Sequence, residues 1–212
     1  MVKTKLALES RVDRRKRRNR QALIDAAYQV MGEKGFDAAT MLEIAELADV
    51  GAGTVYNYFD SKDELAVCVM EQVMQRLAER IDAVTNTFSD PAQPYAFGVR
   101  NVMKAATTDR RWRWLLQRSE VIAGAMYRIM GPYAIRDIRR GCQAGRYAVE
   151  DPDLAWRQAT HAIVGFSIGV CDGNIDPNKI DEAVVNLLGM VGVSRKDAWK
   201  LAKRPHPALP EE

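Results

Sequence analysis

A short stretch of the chain concentrates hydroxyl, phenol and amide side chains, and a lysine follows closely behind it. The stretch contains Thr54, Tyr56, Asn57 and Tyr58, and the lysine is Lys62. Hydroxyl and amide groups bond to phosphate oxygens and to base edges, and an ammonium group neutralises a phosphate. The pattern therefore favours recognition of a polyanion. The alternative is an ordinary helical hairpin that carries two surface tyrosines.

Residues 40–65 must position these side chains. Thr40 and Ser61 each precede a glutamate by three residues, which is the capping-box pattern of a helix start. Between these two starts, Gly51 to Gly53 mark a turn and predict a second short helix through Tyr58. Two short helices joined by a tight turn form a helix-turn-helix, whose second helix can enter the DNA major groove. The small turn residues also leave the N-terminus of that helix open to a phosphate.

A basic segment lies directly upstream. Residues 1–20 hold nine Lys and Arg against two Asp and Glu, a net charge of +7, whereas the remainder of the chain carries −4. A run of like charge is usually a solvated tail, but in a DNA-binding protein it can lie in the minor groove. For residues 14–20, which include the candidate contacts Arg17 and Arg18, we favour the minor-groove interpretation. For residues 1–10 both interpretations, a solvated tail and a minor-groove contact, remain open.

The composition is that of a globular chain with one larger domain and a small head. Of 212 residues, 47% are apolar, which is enough for a sizeable core. The three cysteines are odd in number and widely spaced, so we expect reduced thiols and no metal site. The sequence contains neither a leader pattern nor an apolar run of about 18 residues, which predicts a cytoplasmic protein with no membrane partner. No cofactor is expected.

Apolar residues recur every three or four positions along almost the whole chain, which predicts an all-α fold. The predicted helices cover residues 17–34, two short helices within 40–58, and residues 61–85, 95–107, 109–117, 119–141, 151–171, 176–191 and a last short helix from 194. A kink is expected near Pro132. The elements divide the chain into a basic arm (1–19), a helix-turn-helix domain (20–66), a regulatory ligand-binding and dimerisation domain (67–204) and a flexible tail (205–212).

Residues 20–66 resemble the DNA-binding head of the TetR family of bacterial transcriptional regulators. The matching positions are Ala26-Ala27, Gly35-Phe36, Thr40, Ile44-Ala45, Ala48, Val50, Gly53 to Phe59 and Lys62 to Leu65. The resemblance implies an all-helical homodimer, in which an N-terminal three-helix head precedes a larger C-terminal helical body that binds a ligand. By position it implies phosphate contacts for Thr40, Thr54, Tyr58 and Lys62, and base contacts around Ala52, Gly53 and Tyr56.

Two departures from the family pattern change where base recognition is expected. Leu42 replaces a polar or basic residue early in the first helix of the pair, and Gly51-Ala52 replaces a Ser-Lys-like pair before the second. Leu42 is either an apolar contact for a thymine methyl or sugar, or a surface leucine of no consequence. The loss of long side chains at Gly51-Ala52 shifts the expected recognition to Tyr56, Asn57 and the basic arm.

The last two long predicted helices carry stripes of small and apolar residues. Ala155, Ala159, Ala162, Gly165 and Gly169 let another helix approach closely, and residues 180–191 have an apolar face. These stripes either complete the core of one chain or, as the resemblance implies, pair with a second copy in a four-helix homodimer interface. We favour the homodimer, whose two-fold symmetry suits half-sites one helical turn apart.

The body also contains aromatic residues, methionines and a few polar groups that could surround a small-molecule effector. The candidate ligand-binding residues are Phe97, Met103, Trp114, Arg118, Met126, Tyr127, Met130, His161 and Phe166. An apolar cavity with a single orienting charge is the usual form of such a site. The alternatives are a plain core for the stripe, a hydrogen-bonded core position for His161 and an ion pair for Arg118.

Together these features predict a ligand-responsive transcriptional regulator. The most specific form is a repressor that binds a palindromic double-stranded DNA operator as a dimer and is released by an unknown small molecule. An enzyme is not expected, because the sequence has two histidines and no HExxH, GxSxG or P-loop pattern. A helical protein-interaction module without specific DNA binding is the alternative.

Overall fold

A computed structural model describes residues 10–109, 112, 116 and 119–210. Within these ranges the chain forms helices and connecting turns and contains no strand. The predicted all-α fold is confirmed. The chain divides into two compact units, the first reaching Val69 and the second starting at Met70. None of the helices in the described ranges combines the length and apolar character that crossing a membrane requires.

Three complete helices and the start of a fourth build the N-terminal unit. They are α1 (Arg11–Lys34), α2 (Met41–Leu47), α3 (Ala52–Val55) and the beginning of α4 (Lys62–Thr85). Each helix contributes apolar residues to one core, and the fully buried ones include Leu23, Ala27, Ile44, Val55 and Leu65. The N-terminal unit is therefore a three-helix head with its own hydrophobic core, followed directly by the long α4.

The first helix begins earlier than predicted. The hydroxyl of Ser10 accepts a hydrogen bond from the Asp13 amide at 3.1 Å, which caps a helix starting at Arg11. Residues 11–18 are exposed. An α-helix with its side chains is about 10–12 Å wide, whereas the minor groove measures about 6 Å. The minor-groove interpretation of residues 14–20 therefore does not fit this structure. Within the described residues, the predicted arm is the first part of α1.

The turn of the helix-turn-helix owes its shape to an aspartate. Asp49 has φ 54°, in the left-handed region, whereas Gly51 has φ −61° and serves as the N-cap of α3. The second helix is also shorter than predicted. It ends at Val55, and the amides of Asn57 and Tyr58 form turn hydrogen bonds to the Thr54 and Val55 carbonyls at 3.1 and 2.9 Å. Tyr56, Asn57 and Tyr58 thus lie on a tight turn after the helix.

The C-terminal unit contains the rest of α4 and five further α-helices within the described ranges. They are α5 (Gln93–Thr108), α6 (Ser119–Gln143), α7 (Pro152–Cys171), α8 (Ile180–Met190) and α9 (Arg195–Ala202), with a 3₁₀ turn at Pro177–Lys179. Asp151 and Ser194, the first residues of two predicted helices, accept hydrogen bonds from backbone amides of α7 and α9 and cap them. Helix α6 continues through Pro132. The helix predicted for 109–117 falls mostly outside the described residues.

Residues 205–210, the C-terminal segment, pack on the C-terminal unit, contrary to the predicted flexible tail. Nε of Arg80 donates to the carbonyl of Pro210 at 2.7 Å. The ring of His206 lies 6.0 Å from that of Phe97, and its Nε2 contacts the Ala202 carbonyl at 3.3 Å. Burial lowers the pKa of His206, and the nearby Arg100 charge adds to this effect.

Candidate nucleic-acid interface

A surface cleft in the N-terminal unit joins α1 to the residues around the end of α3. Its volume is about 600 Å³. It is lined by Lys16, Arg17, Arg20, Thr54, Asn57 and Tyr58. The structure therefore brings three cations of the basic segment together with three of the polar residues predicted to contact DNA. Such a combination of positive charge and hydrogen-bonding groups suits a phosphate backbone.

The base of this cleft is anchored by buried aromatic and aliphatic side chains. Val55 and Phe59 are fully buried, and the guanidinium of Arg20 lies 5.2 Å from the Phe59 ring centroid. A nitrogen of Arg20 also lies 3.2 Å from the sulfur of Cys68. These contacts hold the Tyr56–Tyr58 turn against the head and leave its polar groups at the surface.

The face formed by α3 is open. Ala52 and Gly53 are exposed, and a Cβ added at Gly53 would meet no protein atom within 4 Å. Tyr56, next along the chain after Val55, is 59% exposed. An exposed surface of small residues beside one exposed phenol allows a nucleic-acid backbone or base edge to approach closely.

Arg18 lies along a neighbouring cleft. This cleft has a volume of about 500 Å³ and also includes Arg14 and Arg17. The exposed guanidinium groups of α1 therefore form a continuous positive surface on either side of Arg17. Asp25 is the acidic residue among those that line this second cleft.

Thr40 is engaged by the helix cap that the sequence predicts. Its hydroxyl accepts a hydrogen bond from the Glu43 amide and donates one to the Glu43 carboxylate, at 3.2 and 3.1 Å. The ammonium of Lys34 lies 2.5 Å from the same carboxylate, and together these bonds lower the pKa of Glu43. The Thr40 hydroxyl hydrogen is thus already used in this structure and does not point to a phosphate.

Lys62 has a different role from the predicted phosphate contact. Its Nζ donates to the backbone carbonyls of Phe36, Asp37 and Ala39 at 2.8, 3.2 and 3.0 Å. It also lies 4.5 Å from the centroid of the Phe36 ring. An ammonium group has three hydrogens to donate, and these bonds use all three. The structure makes Lys62 a clamp on the α1–α2 loop and leaves it no hydrogen for DNA.

Most described residues of the predicted ligand set either pack in the hydrophobic core or lie at the protein surface. Phe97, Met103 and Met126 are fully buried, whereas Phe166 is half-buried. Tyr127 donates to the carboxylate of Asp153, and His161 is exposed, with Nδ1 3.0 Å from the carbonyl of Arg157. The core position expected as the alternative for His161 is therefore wrong. Trp114 and Arg118 lie outside the described residues.

A small cavity lies among helices α4, α5, α6 and α7. Its volume is about 40 Å³, and of the predicted ligand residues it includes Met130. Its polar lining includes Tyr95, Asp137 and Trp156, none of which belongs to the predicted ligand set. Asp137 follows Met130 by seven residues and therefore lies on the same face of α6. An acid on an otherwise apolar stripe is the sequence signal that points to this position.

Two of these groups are buried without a partner. Neither the hydroxyl of Tyr95 nor Nε1 of Trp156 has a hydrogen-bond partner. Asp137 is 7% exposed and accepts two hydrogen bonds from Arg136, both at Oδ1, at 2.9 and 2.8 Å. Arg136 also donates to Asp82 of α4 at 2.6 Å. Burial raises the pKa of Asp137 in spite of the neighbouring guanidinium.

No group of three or more His, Cys, Asp or Glu side chains in the described parts of the chain is arranged to hold a metal ion. Cys68, Cys142 and Cys171 do not form disulfides with one another.

The three-helix head with its polar cleft defines a helix-turn-helix DNA-binding protein with a separate helical body. Residues 23–68 match the family model "Bacterial regulatory proteins, tetR family", and residues 90–204 match "Tetracyclin repressor-like, C-terminal domain". The chain belongs to the TetR family of bacterial regulatory proteins.

Individual relatives agree with this assignment. The chain is 29% identical over 128 residues to the HTH-type transcriptional repressor KstR of Mycolicibacterium smegmatis, covering 60% of this chain and 55% of that protein. It is 31% identical over 86 residues to the regulator BetI of Rhizobium meliloti, covering 41% of this chain and 42% of BetI. The chain thus spans about half the length of these curated relatives.

The similarity to solved structures extends further along the chain. The crystal structure of RolR in complex with resorcinol has a TM-score of 0.84 and 30% identity, and the match covers 94% of this chain and all of RolR. The structure of RolR without ligand has a TM-score of 0.81 at the same identity and covers 90% of this chain. The helical body therefore shares its fold with that of a protein crystallised with and without a small aromatic ligand.

Proposed function

We propose that this protein is a repressor that binds a palindromic operator as a homodimer and is released by a small-molecule effector. The observation that carries the DNA-binding part is the cleft that joins Lys16, Arg17 and Arg20 to Thr54, Asn57 and Tyr58. We assign phosphate contacts to these cations, to Arg18 and to the hydroxyls of Thr54 and Tyr58. Base recognition falls to Ala52, Gly53, Tyr56 and Asn57, the open face of the head.

Exposed small and apolar residues on the last long helices support the homodimer. Ala162 and Gly165 of α7 are exposed, and Leu154 and Met190 expose 51% and 37% of their surface. Small residues let helices from two copies approach closely, and a two-fold axis would present two heads to half-sites about 34–36 Å apart. A single-chain mass in solution at micromolar concentration, measured by sedimentation equilibrium, would contradict the homodimer.

The proposed release mechanism follows from helix α4. This helix starts at Lys62 in the head, and its Ala78 and Ile81 line the small cavity of the body. A cavity of about 40 Å³ is too small for an aromatic ring, so a ligand must displace its walls, to which α4 contributes Ala78 and Ile81. A ligand that favours the displaced arrangement would lower DNA affinity by a coupling of about 1–3 kcal/mol. The complex of RolR with resorcinol supports a compact effector.

DNA binding can be tested by titrating the intergenic DNA beside the coding region at several salt concentrations. The wild-type protein should bind this DNA in preference to a scrambled duplex of equal length. Arg17→Ala should reduce the magnitude of the logarithmic salt slope by about 0.9 for each phosphate that it no longer neutralises. Lys196→Ala removes the same charge from an exposed position on α9 and serves as the matched control. Equal slopes for the two variants, or no selective binding at low salt, would overturn the proposal.

A further inference from the structure

We infer that the cavity among α4, α5, α6 and α7 is a binding site for a compact neutral phenol, an aromatic ring bearing one or two hydroxyl groups. The regulatory meaning of this site depends on the proposed function, but the binding itself does not. Three observations lead to this ligand class: two unpaired buried donors, one buried acceptor beside a route to solvent, and an aromatic, apolar wall.

The cavity has two buried donors that no protein group engages and that can bind a ligand oxygen. The Tyr95 hydroxyl and the Trp156 indole N–H are both buried without a hydrogen-bond partner. Leaving such a group unsatisfied costs about 1–3 kcal/mol. A ligand oxygen that accepts from either group would recover part of this cost. The second buried tyrosine of the unit, Tyr147, differs because its hydroxyl donates to the Ala92 carbonyl at 2.9 Å.

Asp137 supplies the hydrogen-bond acceptor and lies where the cavity adjoins a surface cleft. It lines the cavity and also an open surface cleft of about 460 Å³, and Pro94 is shared between the two in the same way. Both hydrogen bonds from Arg136 go to Oδ1 of Asp137. Oδ2 is the natural partner for a ligand hydroxyl, which donates a strong hydrogen bond to a carboxylate.

The same groups disfavour charged ligands, both anionic and cationic. A carboxylate ligand would meet the buried Asp137 carboxylate and be repelled, because like charges in a poorly solvated site disfavour each other. A cationic ligand gains little, because the guanidinium of Arg136 already pairs with Asp137 and a second guanidinium, that of Arg140, lines the adjoining cleft. The ligand that fits this balance is neutral and donates hydrogen bonds.

The remaining walls determine the shape of the ligand. Tyr95, Tyr133 and Trp156 supply aromatic surface, and Met130 adds a polarisable thioether. Aromatic and thioether groups pack favourably on a flat ring. The volume of about 40 Å³ has room for water but not for a ring, so the ligand must be small and must widen the cavity as it binds.

Isothermal titration of the full chain in the absence of DNA tests this inference. The probes are phenol and the three benzenediols, with toluene as the apolar control and benzoate as the charged control. At least one hydroxylated probe should bind at least about tenfold more tightly than toluene and benzoate, the factor that one hydrogen bond of ordinary strength provides. Equal affinity for benzoate, or no binding by any hydroxylated probe, would overturn the inference.

Three variants separate this site from general effects on folding. Tyr95→Phe and Asp137→Asn should each weaken binding of the best probe by about tenfold, and Tyr147→Phe should leave its affinity unchanged. Without ligand, Tyr95→Phe should unfold at or above the wild-type temperature, because it removes an unpaired hydroxyl, whereas Tyr147→Phe should unfold below it. Wild-type affinity in both Tyr95→Phe and Asp137→Asn would overturn the site.

Measuring phenol binding and DNA binding separately distinguishes failure of this ligand site from failure of the proposed function. Selective DNA binding together with no phenol binding would reject the ligand class and leave the regulator. Phenol binding that fails to reduce DNA affinity would uphold the site and reject its role in release.

Discussion

At the level of single residues, the sequence predicts chemical groups better than it predicts their partners. Thr54, Asn57 and Tyr58 line the cleft as surface polar groups, whereas Lys62 and Thr40 are used inside the head. The difference is whether groups within the protein compete with DNA for the same hydrogen bonds. The Lys62 ammonium donates to three backbone carbonyls of the α1–α2 loop, and only the three-dimensional position of that loop reveals these bonds.

Replacing Gly53 by alanine should separate DNA binding from folding. The added methyl group meets no protein atom within 4 Å, and alanine favours the helix by up to about 1 kcal/mol. We expect unchanged or higher stability in urea together with weaker DNA binding, because the methyl group occupies space that the duplex would fill. Unchanged DNA affinity would show that the duplex does not approach α3 at this residue.

Replacing Lys62 by alanine should destabilise the head by about 1–3 kcal/mol, because three carbonyls lose a charged donor. Lys34→Ala is the control. It removes a lysine that is half exposed and pairs with Glu43, and it should destabilise the head less than Lys62→Ala does, because solvent screens an exposed ion pair. Urea unfolding of both variants measures the difference. If Lys62→Ala unfolds like Lys34→Ala and instead lowers the salt slope of DNA binding by about 0.9, the phosphate role is correct after all.

At the level of helices and turns, most of the fold can be predicted because the residues at the start of each helix determine where that helix begins. Asp151 and Ser194 sit at the starts of α7 and α9 and cap them. The early start of α1 is hard to predict because its basic residues suggest a solvated arm, although Ser10 and Asp13 form a cap there. The sequence assigns the shape of the helix-turn-helix turn to glycine, whereas Asp49 adopts the left-handed conformation. Aspartate tolerates this region, so composition alone does not identify the residue.

Substitutions at Asp49 test this assignment. Asp49→Gly should raise the unfolding free energy by up to about 1 kcal/mol, because glycine adopts positive φ without steric cost. Asp49→Val should lower it by about 1–2 kcal/mol, because a β-branched side chain is strained there. Asp49→Asn is the neutral control, since asparagine also tolerates this conformation. Chemical unfolding of the four proteins gives the order, and a valine variant as stable as the glycine variant would rule out the left-handed turn.

At the level of the whole molecule, the proposed ligand site is what the sequence predicts least well. Phe97, Met103 and Met126 have the residue types of a pocket but pack in the core, whereas Tyr95 and Trp156 line the cavity. Residue type does not distinguish these two fates, because both require a buried aromatic or thioether group. What distinguishes them is whether neighbouring helices leave space, and that depends on packing between elements far apart in the chain.

The packed C-terminal segment gives the molecule a measurable response to pH. Burial against the body lowers the pKa of His206 below its usual 6.5, so the unfolded chain takes up a proton first as the pH falls. Stability is therefore fully present above pH 6.5 and declines as the pH falls from 6.5 through the folded pKa. Facing charges are Arg100 and Lys104, which oppose protonation, and Asp181, which favours it.

The decline should be smaller in His206→Gln than in the wild type when unfolding free energy is measured between pH 7.5 and about 5. His161→Gln is the matched control, because His161 is the second histidine of the chain and is exposed. Identical pH profiles for the wild type and His206→Gln would mean that the C-terminal segment does not pack as described.

The position of Trp156 has an optical consequence. An indole whose N–H has no partner and whose surroundings are apolar fluoresces at short wavelength, and its emission moves to longer wavelength when the N–H gains a polar neighbour. The other tryptophans, Trp112, Trp114 and Trp199, can be replaced by phenylalanine to leave this single chromophore. Binding of a hydroxylated ligand would then shift the emission of Trp156 to longer wavelength, so binding could be followed by fluorescence without an added label.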